Sequence, residues 1–281
     1  MSVYLASYSD KKFFKSQKTL RKSAKKVGID HILEFNDLWL KNQEAFFNEN
    51  HKILQAKRGA GYWLWKPFII NYILNKMKDD DILFYLDSAT QFVGDIEPLL
   101  NIVRIKNMIL FSNDDHLNST WTKRDCFYYM NCDTEQYHTG SQISACYIVF
   151  KKCDYTVKLV SEWLSYAKDE RIISDNENLC GLPNLPDFKD HRHDQSILSI
   201  LGIKYNIEIF RDPSQWGNIY KAKELRDENE FLHKEYVTDS FKNSPYKTII
   251  HTHRGKLPLN NVDKLEYQFI KIKESIKAFL S

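Results

Sequence analysis

The sequence predicts an α/β fold, with a single Rossmann-like domain over residues 1–256 on a mainly parallel sheet, followed by a C-terminal helix over 257–281. Three observations predict it. Strand-like and helix-like segments alternate along the chain, which favours a sheet covered by helices on both faces. The strand candidates are short apolar runs bounded by turn residues, the pattern of strands buried on both sides. The composition, 43% hydrophobic and 27% charged over 281 residues, is that of a globular protein large enough to bury a substantial core.

Taken in order, "SVYLASYS" is a first strand, and a lysine-rich amphipathic helix follows with Phe13, Leu20 and Val27 at seven-residue spacing. "HILEF" is a second strand. "DLWLKNQEAFF" reads as one helix capped by Asp37. Pro67 suits the first turn of a helix that continues through "FIINYILNKM". The aspartates at 79–81 form a turn into the strand "ILFYLD". A short helix near "IEPLLNIV" leads to the strand "MILFS". Residues 113–140 are polar and aromatic with no clear period, which reads as a long functional loop. "SACYIVF" is a strand, "CDYTVKLVSEWLSYAKD" a helix, and "DQSILSILG" a helix begun by Asp194 and stopped at Gly202. "NIEIF" and "KTIIH" are later strands. In the last helix Val262, Leu265, Phe269, Ile272, Ile276 and Phe279 form a stripe that packs on the domain or seams a homodimer.

Forty basic and 37 acidic residues leave a net charge of +3, too even to indicate nucleic acid as a partner. The basic residues crowd between Lys11 and Lys26, either as a solvated face or as a weak attraction for an anionic membrane surface or a phosphate-linked acceptor. The five cysteines are odd in number and lack a C-x-x-C pair, which argues against a disulfide framework or zinc site. No apolar run approaches the roughly 20 residues that span a bilayer. The start of the chain lacks a signal-peptide pattern. The expected location is the cytoplasm, with peripheral contact at the inner face of the membrane. Aromatic residues reach 14%, a share that suits stacking on sugar rings.

The apolar run "ILFYLD" ends in Asp87. Ligands of open α/β sheets bind at the carboxyl ends of strands, where a carboxylate holds a cation or a sugar hydroxyl, or simply caps a turn. Asp194 opens a helix, where it either caps or fixes a hydroxyl, and Gln195 beside it has a carbonyl oxygen able to stabilise developing positive charge. The segment "IIHTHRGK" joins basic side chains to a glycine, a combination suited to a diphosphate.

"FYLDSAT" resembles the D-x-D strand end of GT-A-type glycosyltransferases, especially family 8, with Asp87 on the first aspartate and Ala89 in place of the second. "HRHDQSILS" resembles that family's DQD-x-L-N segment, and "IIHTHRGK" its C-terminal H-x-x-G-x-x-K region with altered spacing. "RGAGYWLWKP" together with "HRHDQS" is similar to bacterial and viral capsule or surface-polysaccharide glycosyltransferases. The resemblance implies a GT-A-like domain and a catalytic pair, Asp194 and Gln195. It implies donor contacts from Ser7, Tyr8, Arg58, Lys66, Asp87, Ser88, Gln142, Arg254 and Lys256. It implies a divalent metal, manganese or magnesium, on Asp87 and on His251 or alternatively His253, although the missing carboxylate at Ala89 leaves a thinner site for a hard cation. Trp121, Lys123, Arg124 and Tyr128 in the 113–140 stretch are the acceptor candidates.

The expected activity is transfer of a hexose-like sugar from a nucleotide sugar to a hydroxyl of a surface glycan (capsule, lipopolysaccharide or glycoprotein), with retention by resemblance to family 8. If the reaction inverts, Asp194 is the first candidate for the base. Two other classes stay open. A nucleotidyltransferase shares a similar fold but usually carries a glycine-rich loop after the first strand, where "SYSDKKFF" has no glycine. A sugar-binding protein without turnover would explain the missing aspartate.

Overall fold

A computed structural model describes residues 1–217, 241–253 and 261–280. Its strands are β1 (Val3–Ser9), β2 (His31–Asn36), β3 (Ile82–Leu86), β4 (Thr90–Phe92), β5 (Met108–Leu117), β6 (Ser141–Lys151), β7 (Ile209–Phe210) and β8 (Ile250–Thr252). Its longer helices are α1 (Phe14–Lys26), α2 (Trp65–Leu74), α3 (Glu97–Lys106), α4 (Asp154–Ala167), α5 (Asp194–Lys204) and α6 (Asn261–Leu280).

Six strands make the central sheet in the order β2-β1-β3-β6-β5-β7. β1 is parallel to β2 and β3, and β7 is parallel to β5, while β6 runs antiparallel to both its neighbours. The sheet is therefore mainly parallel, with β6 as the reversed strand. β4 and β8 pair separately and antiparallel, so "KTIIH" contributes to a small second sheet rather than the central one.

Side chains of a strand alternate between faces, and β3 shows how this builds two cores. Ile82, Phe84 and Leu86 pack with Leu20 and Ala24 of α1 and Leu99 and Val103 of α3. Leu83 and Tyr85 pack on the other face with Ile69 and Ile70 of α2, Trp163 of α4 and Leu198 of α5. Continuing the alternation puts Asp87 on the face of Tyr85, beneath α2 and α5. That face borders the candidate site.

β6 carries an irregularity that the sequence does not announce. Ile109 of β5 pairs with Val149 and Phe111 with Ser144, so a two-residue step on β5 faces a five-residue step on β6. Such bulges re-aim side chains near sites.

Several expectations need correction. The stretch 113–140 is not a structureless loop: β5 runs on to Leu117, and short helices follow at Asn118–Trp121, Arg124–Tyr129 and Glu135–His138. "DLWLKNQEAFF" breaks into Asp37–Lys41 and Glu44–Glu49, and its cap is Asn36, whose Oδ1 accepts from Leu38 and Trp39 N–H. α5 runs past Gly202 to Lys204, and Asp194 is its first helical residue, preceded by His193 as cap.

In α6 the apolar stripe faces outward, with Val262, Leu265, Phe269, Ile272 and Ile276 all more than half exposed. The helix instead meets α1 through Asp263 and Glu266, both paired with Lys18, and through Tyr267, whose ring packs edge-on against Phe14. The side chain of Phe279 lies outside the described residues. Among the described residues no helix is long and apolar enough to cross a membrane.

Candidate active site

A cleft of about 720 Å³ opens at the carboxyl ends of β1 and β3, within the size range of pockets that take small-molecule ligands. After β1 its wall takes Tyr8, Ser9, Asp10, Lys12 and Phe13, and after β3 it takes Asp87, Ser88, Ala89 and Thr90. Lys57, Gly59, Ala60, Trp63 and Trp65 line it from the segment that leads into α2. Asn113, His116, Ser144, Cys146, Tyr147, Asp212, Trp216 and Thr252 line it as well.

Behind Asp87 lies a buried charge cluster. Lys66 Nζ donates to the Ala145 carbonyl at 2.9 Å, and lies 3.1 Å from Asp194 Oδ2 and 3.3 Å from Asp87 Oδ1. The Tyr85 hydroxyl donates to the same Asp87 oxygen at 2.9 Å. The Lys66 and Asp194 side chains are 3% and 4% exposed, and Asp87 is 26% exposed, so Asp87 alone of the three reaches the cleft. Burial opposes the Lys66 charge, but Asp194 and Asp87 outweigh it and raise its pKa, which keeps the ammonium protonated. Burial pushes the Asp194 carboxyl up to about 6, against the pull of Lys66 and with a further push from Asp87.

Two buried histidines precede Asp194 in the chain. His191 Nε2 donates to the Ile172 carbonyl at 2.9 Å, and its Nδ1 accepts from Lys123 N–H at 3.3 Å. His193 Nδ1 donates to the Ile173 carbonyl at 2.7 Å. Burial lowers both pKa values, His191 well below the usual range, so both rings stay neutral. His193 holds a strained backbone, φ 52° and ψ −117°. Its ring stacks on Tyr62 at 4.9 Å and lies against Trp63 at 5.4 Å.

Those two aromatics belong to a left-handed turn. Gly59, Ala60, Gly61, Tyr62 and Trp63 all have positive φ. This costs about 1–2 kcal/mol at each non-glycine residue. Tyr62 N–H donates to Arg58 O at 2.8 Å and Trp65 Nε1 to Gly59 O at 2.9 Å, which helps to hold the turn. The spaced glycines of "RGAGYW" thus serve a backbone that presents Trp63 to the cleft and starts α2 so that Lys66 points inward.

The structure brings together Lys66, Asp87 and Asp194, with Ser88 and Tyr8 on the same cleft; Tyr8 stacks on Trp65 at 4.0 Å. It places the other expected residues elsewhere. Asp194 is a neighbour of the cleft wall and not part of it. Ser7 turns towards α1, where its hydroxyl accepts from Gln17 Nε2 at 3.1 Å. Arg58 pairs with Asp175 and Asp190, and Lys57 takes the wall position instead. Gln142 and Gln195 bind each other: Gln195 Nε2 donates to Gln142 Oε1 at 3.0 Å, and Gln142 Nε2 donates to Asn118 and Thr122.

The acceptor candidates lie off the cleft wall, and three of them are engaged with internal partners. Lys123 Nζ donates to Asn176 O at 2.8 Å, and Arg124 pairs with Asp133. Trp121 lies under the Arg192 guanidinium, and Tyr128 is exposed away from the wall. His251 faces Gln91 across the small sheet, and alternation along β8 puts its neighbour Thr252 on the cleft instead. Arg254 and Lys256 lie outside the described residues.

Sequence reasoning missed Lys12, Lys57, His116, Tyr147, Asp212 and Trp216. Asp212 lies two residues past the end of β7, much as Asp87 directly follows β3, which is the signal that could have found it. Its Oδ1 accepts from Ser214 N–H at 2.7 Å and its Oδ2 from the Tyr147 hydroxyl. Burial raises its pKa against those hydrogen bonds.

Among the described residues, those around Asp87 do not fit a divalent metal. Among the described residues no three His, Cys, Asp or Glu side chains gather where they could hold one. Asp87 already faces an ammonium, and position 89 offers a methyl group.

No protein-family model and no curated protein matches the chain. Its similarities lie among solved structures of glycosyltransferases. It is similar to the apo bifunctional glycosyltransferase WbbM, at 12% identity and TM-score 0.44 over 76% of this chain and 39% of that one. It is similar to apo mouse xyloside xylosyltransferase 1, at 10% and 0.45 over 92% and 100%. It is similar to the apo glycosyltransferase GlyE of Streptococcus pneumoniae TIGR4, at 14% and 0.43 over 99% and 62%. The chain spans less than two thirds of the first and third of these. Similarity this distant assigns no residue a role.

Proposed function

We propose that this protein transfers a sugar from a nucleoside-diphosphate sugar to a hydroxyl group of a glycan. The observation that carries this reading is Asp87: a carboxylate at the end of a buried strand, on the wall of a nucleotide-sugar-sized cleft, held from behind by Lys66 and Tyr85. A carboxylate fixed in this way orients a donor hydroxyl with little reorganisation during reaction. Tyr8 and Trp65, stacked on each other, and Trp63 add aromatic rings to the wall of the same cleft. We read the acceptor as a surface glycan, the class to which the resemblance of "RGAGYWLWKP" and "HRHDQS" points.

We favour retention of configuration. Inversion needs a base touching the acceptor hydroxyl. Asp194, the first candidate for that base, lies behind Lys66 and off the cleft wall, so the resemblance to family 8 is the ground for retention. In a retaining transfer the anomeric C–O bond to phosphate breaks, the acceptor oxygen bonds the same face, and the departing diphosphate takes the acceptor proton.

The test is release of nucleoside diphosphate from a panel of nucleotide sugars, with and without hydroxyl acceptors. Release from one donor is the expected result, and none from any donor refutes the reading. The anomer of the product decides the stereochemistry, and an inverted product removes the retaining assignment.

A further inference from the structure

Resting on the donor reading above, we infer that the donor diphosphate is held without a divalent cation, by the ammonium groups of Lys12 and Lys57, with Lys66 as the fixed positive charge behind Asp87. A hard cation wants several oxygen ligands and near-ideal geometry. Here the second carboxylate position is Ala89, whose carbonyl accepts from His253 N–H at 3.1 Å. Asp87 Oδ1 already receives the Tyr85 hydroxyl and faces Lys66 at 3.3 Å, so a cation on that oxygen would sit against a like charge. Lys66 cannot swing aside, because it is buried among three acceptors.

The cleft supplies its own cations elsewhere. Lys12 comes from the turn before α1 and Lys57 from the segment before the left-handed turn, and both line the cleft. Neither forms an ion pair with another described residue. The three carboxylates of the wall do not compete for them in this structure. Asp87 faces Lys66, Asp212 accepts from Tyr147 and Ser214, and Asp10 Oδ1 accepts from the backbone N–H groups of Lys12 and Phe13. Lys12 and Lys57 line one cleft from different segments and are free of ion pairs with described residues, so their flexible side chains can bring two point charges to a diphosphate.

The experiment is calorimetric titration of the full chain with UDP, GDP, ADP and CDP separately, once in EDTA and once in manganese chloride. At least one of the four binds in EDTA, with a Kd within about twofold of that in manganese. The Lys12→Ala/Lys57→Ala variant weakens that binding by about tenfold or more, while its unliganded melting temperature matches the parent, both lysines being exposed. Binding that appears in manganese and vanishes in EDTA overturns the inference. Binding that resists EDTA but ignores the double substitution overturns the lysine assignment. Failure of all four nucleotides in both media removes the donor reading itself.

Discussion

Lys66 Nζ lies 3.1 Å from Asp194 Oδ2, and both side chains are almost wholly buried. A buried pair is weak evidence for added stability, but breaking it leaves an uncompensated charge. Replacing Lys66 with Met strands two carboxylates, and unfolding free energy should fall by about 3–5 kcal/mol. The Lys66→Met/Asp194→Asn double variant should recover part of that loss. Urea unfolding of the two single variants and the double gives the coupling, and simple additivity would show that the two residues do not act as a pair.

The same pair sets a pH dependence. The folded pKa of Asp194 is raised to about 6 from 3.8. A raised carboxyl pKa favours the fold most below the unfolded value, and that contribution is lost as pH rises towards 6. His191 works in the opposite sense: its lowered pKa gives stability that is full above 6.5 and lost on acidification. The two partly cancel in the native protein. Asp194→Asn removes the first and leaves the second, so the variant should lose more stability than the parent between pH 7 and pH 4. At about 1.4 kcal/mol per pKa unit, and with titration incomplete at pH 4, the difference is roughly 2 kcal/mol. Parallel stability–pH curves for the two proteins would contradict the raised pKa.

Asp87 is the member of the cluster that reaches the cleft, so its loss should be felt in turnover rather than folding. Asp87→Asn keeps the shape and an acceptor oxygen for Tyr85 but removes the charge. Turnover of the nucleotide sugar should fall about 100-fold, the scale for losing a preorganised electrostatic contact, with the fold intact by circular dichroism. Near-normal turnover would remove Asp87 from the mechanism.

Asp212 is the second carboxylate of the wall and holds two donors. Asp212→Ala leaves the Tyr147 hydroxyl and Ser214 N–H without their acceptor, at about 1–3 kcal/mol for each buried group. Adding Tyr147→Phe to that variant should restore stability, because it removes one stranded donor. No recovery in thermal unfolding would place the cost elsewhere.

How much of this was legible in the sequence follows from range. β3 ending in Asp87 could be read locally, because an apolar run closed by a carboxylate carries its own signal. Lys66 and Asp194 were singled out by their motifs, but that they share one charge cluster is a tertiary fact. The bulge in β6 and its reversal leave no periodic trace, and the resemblance points to Gln142 where Ser144 and Cys146 line the cleft. Lys123 and Arg124 looked like ligand-binding charges because their partners, Asn176 and Asp133, are loop residues with no pattern. Lys12 and Lys57 were hidden among other lysines, and topology alone picks them out.

The left-handed turn makes the last prediction, because its glycines can be compared with one outside the site. Gly61 has φ +99°, and a Cβ there would lie 2.7 Å from Leu54 Cα, a backbone atom that cannot move aside cheaply. Gly28, after α1, has φ +82° with nothing within 4 Å of a Cβ. Gly28→Ala therefore measures backbone strain alone, about 1–2 kcal/mol. Gly61→Ala adds a steric clash to the same strain, and should cost roughly 1–3 kcal/mol more. It should also disturb the cleft, since the turn carries Trp63 and leads directly into the helix that holds Lys66. Urea midpoints give the stabilities, and nucleotide affinity reports the cleft. Equal losses for the two alanines, with unchanged nucleotide binding, would show that the turn is not a rigid support for the site.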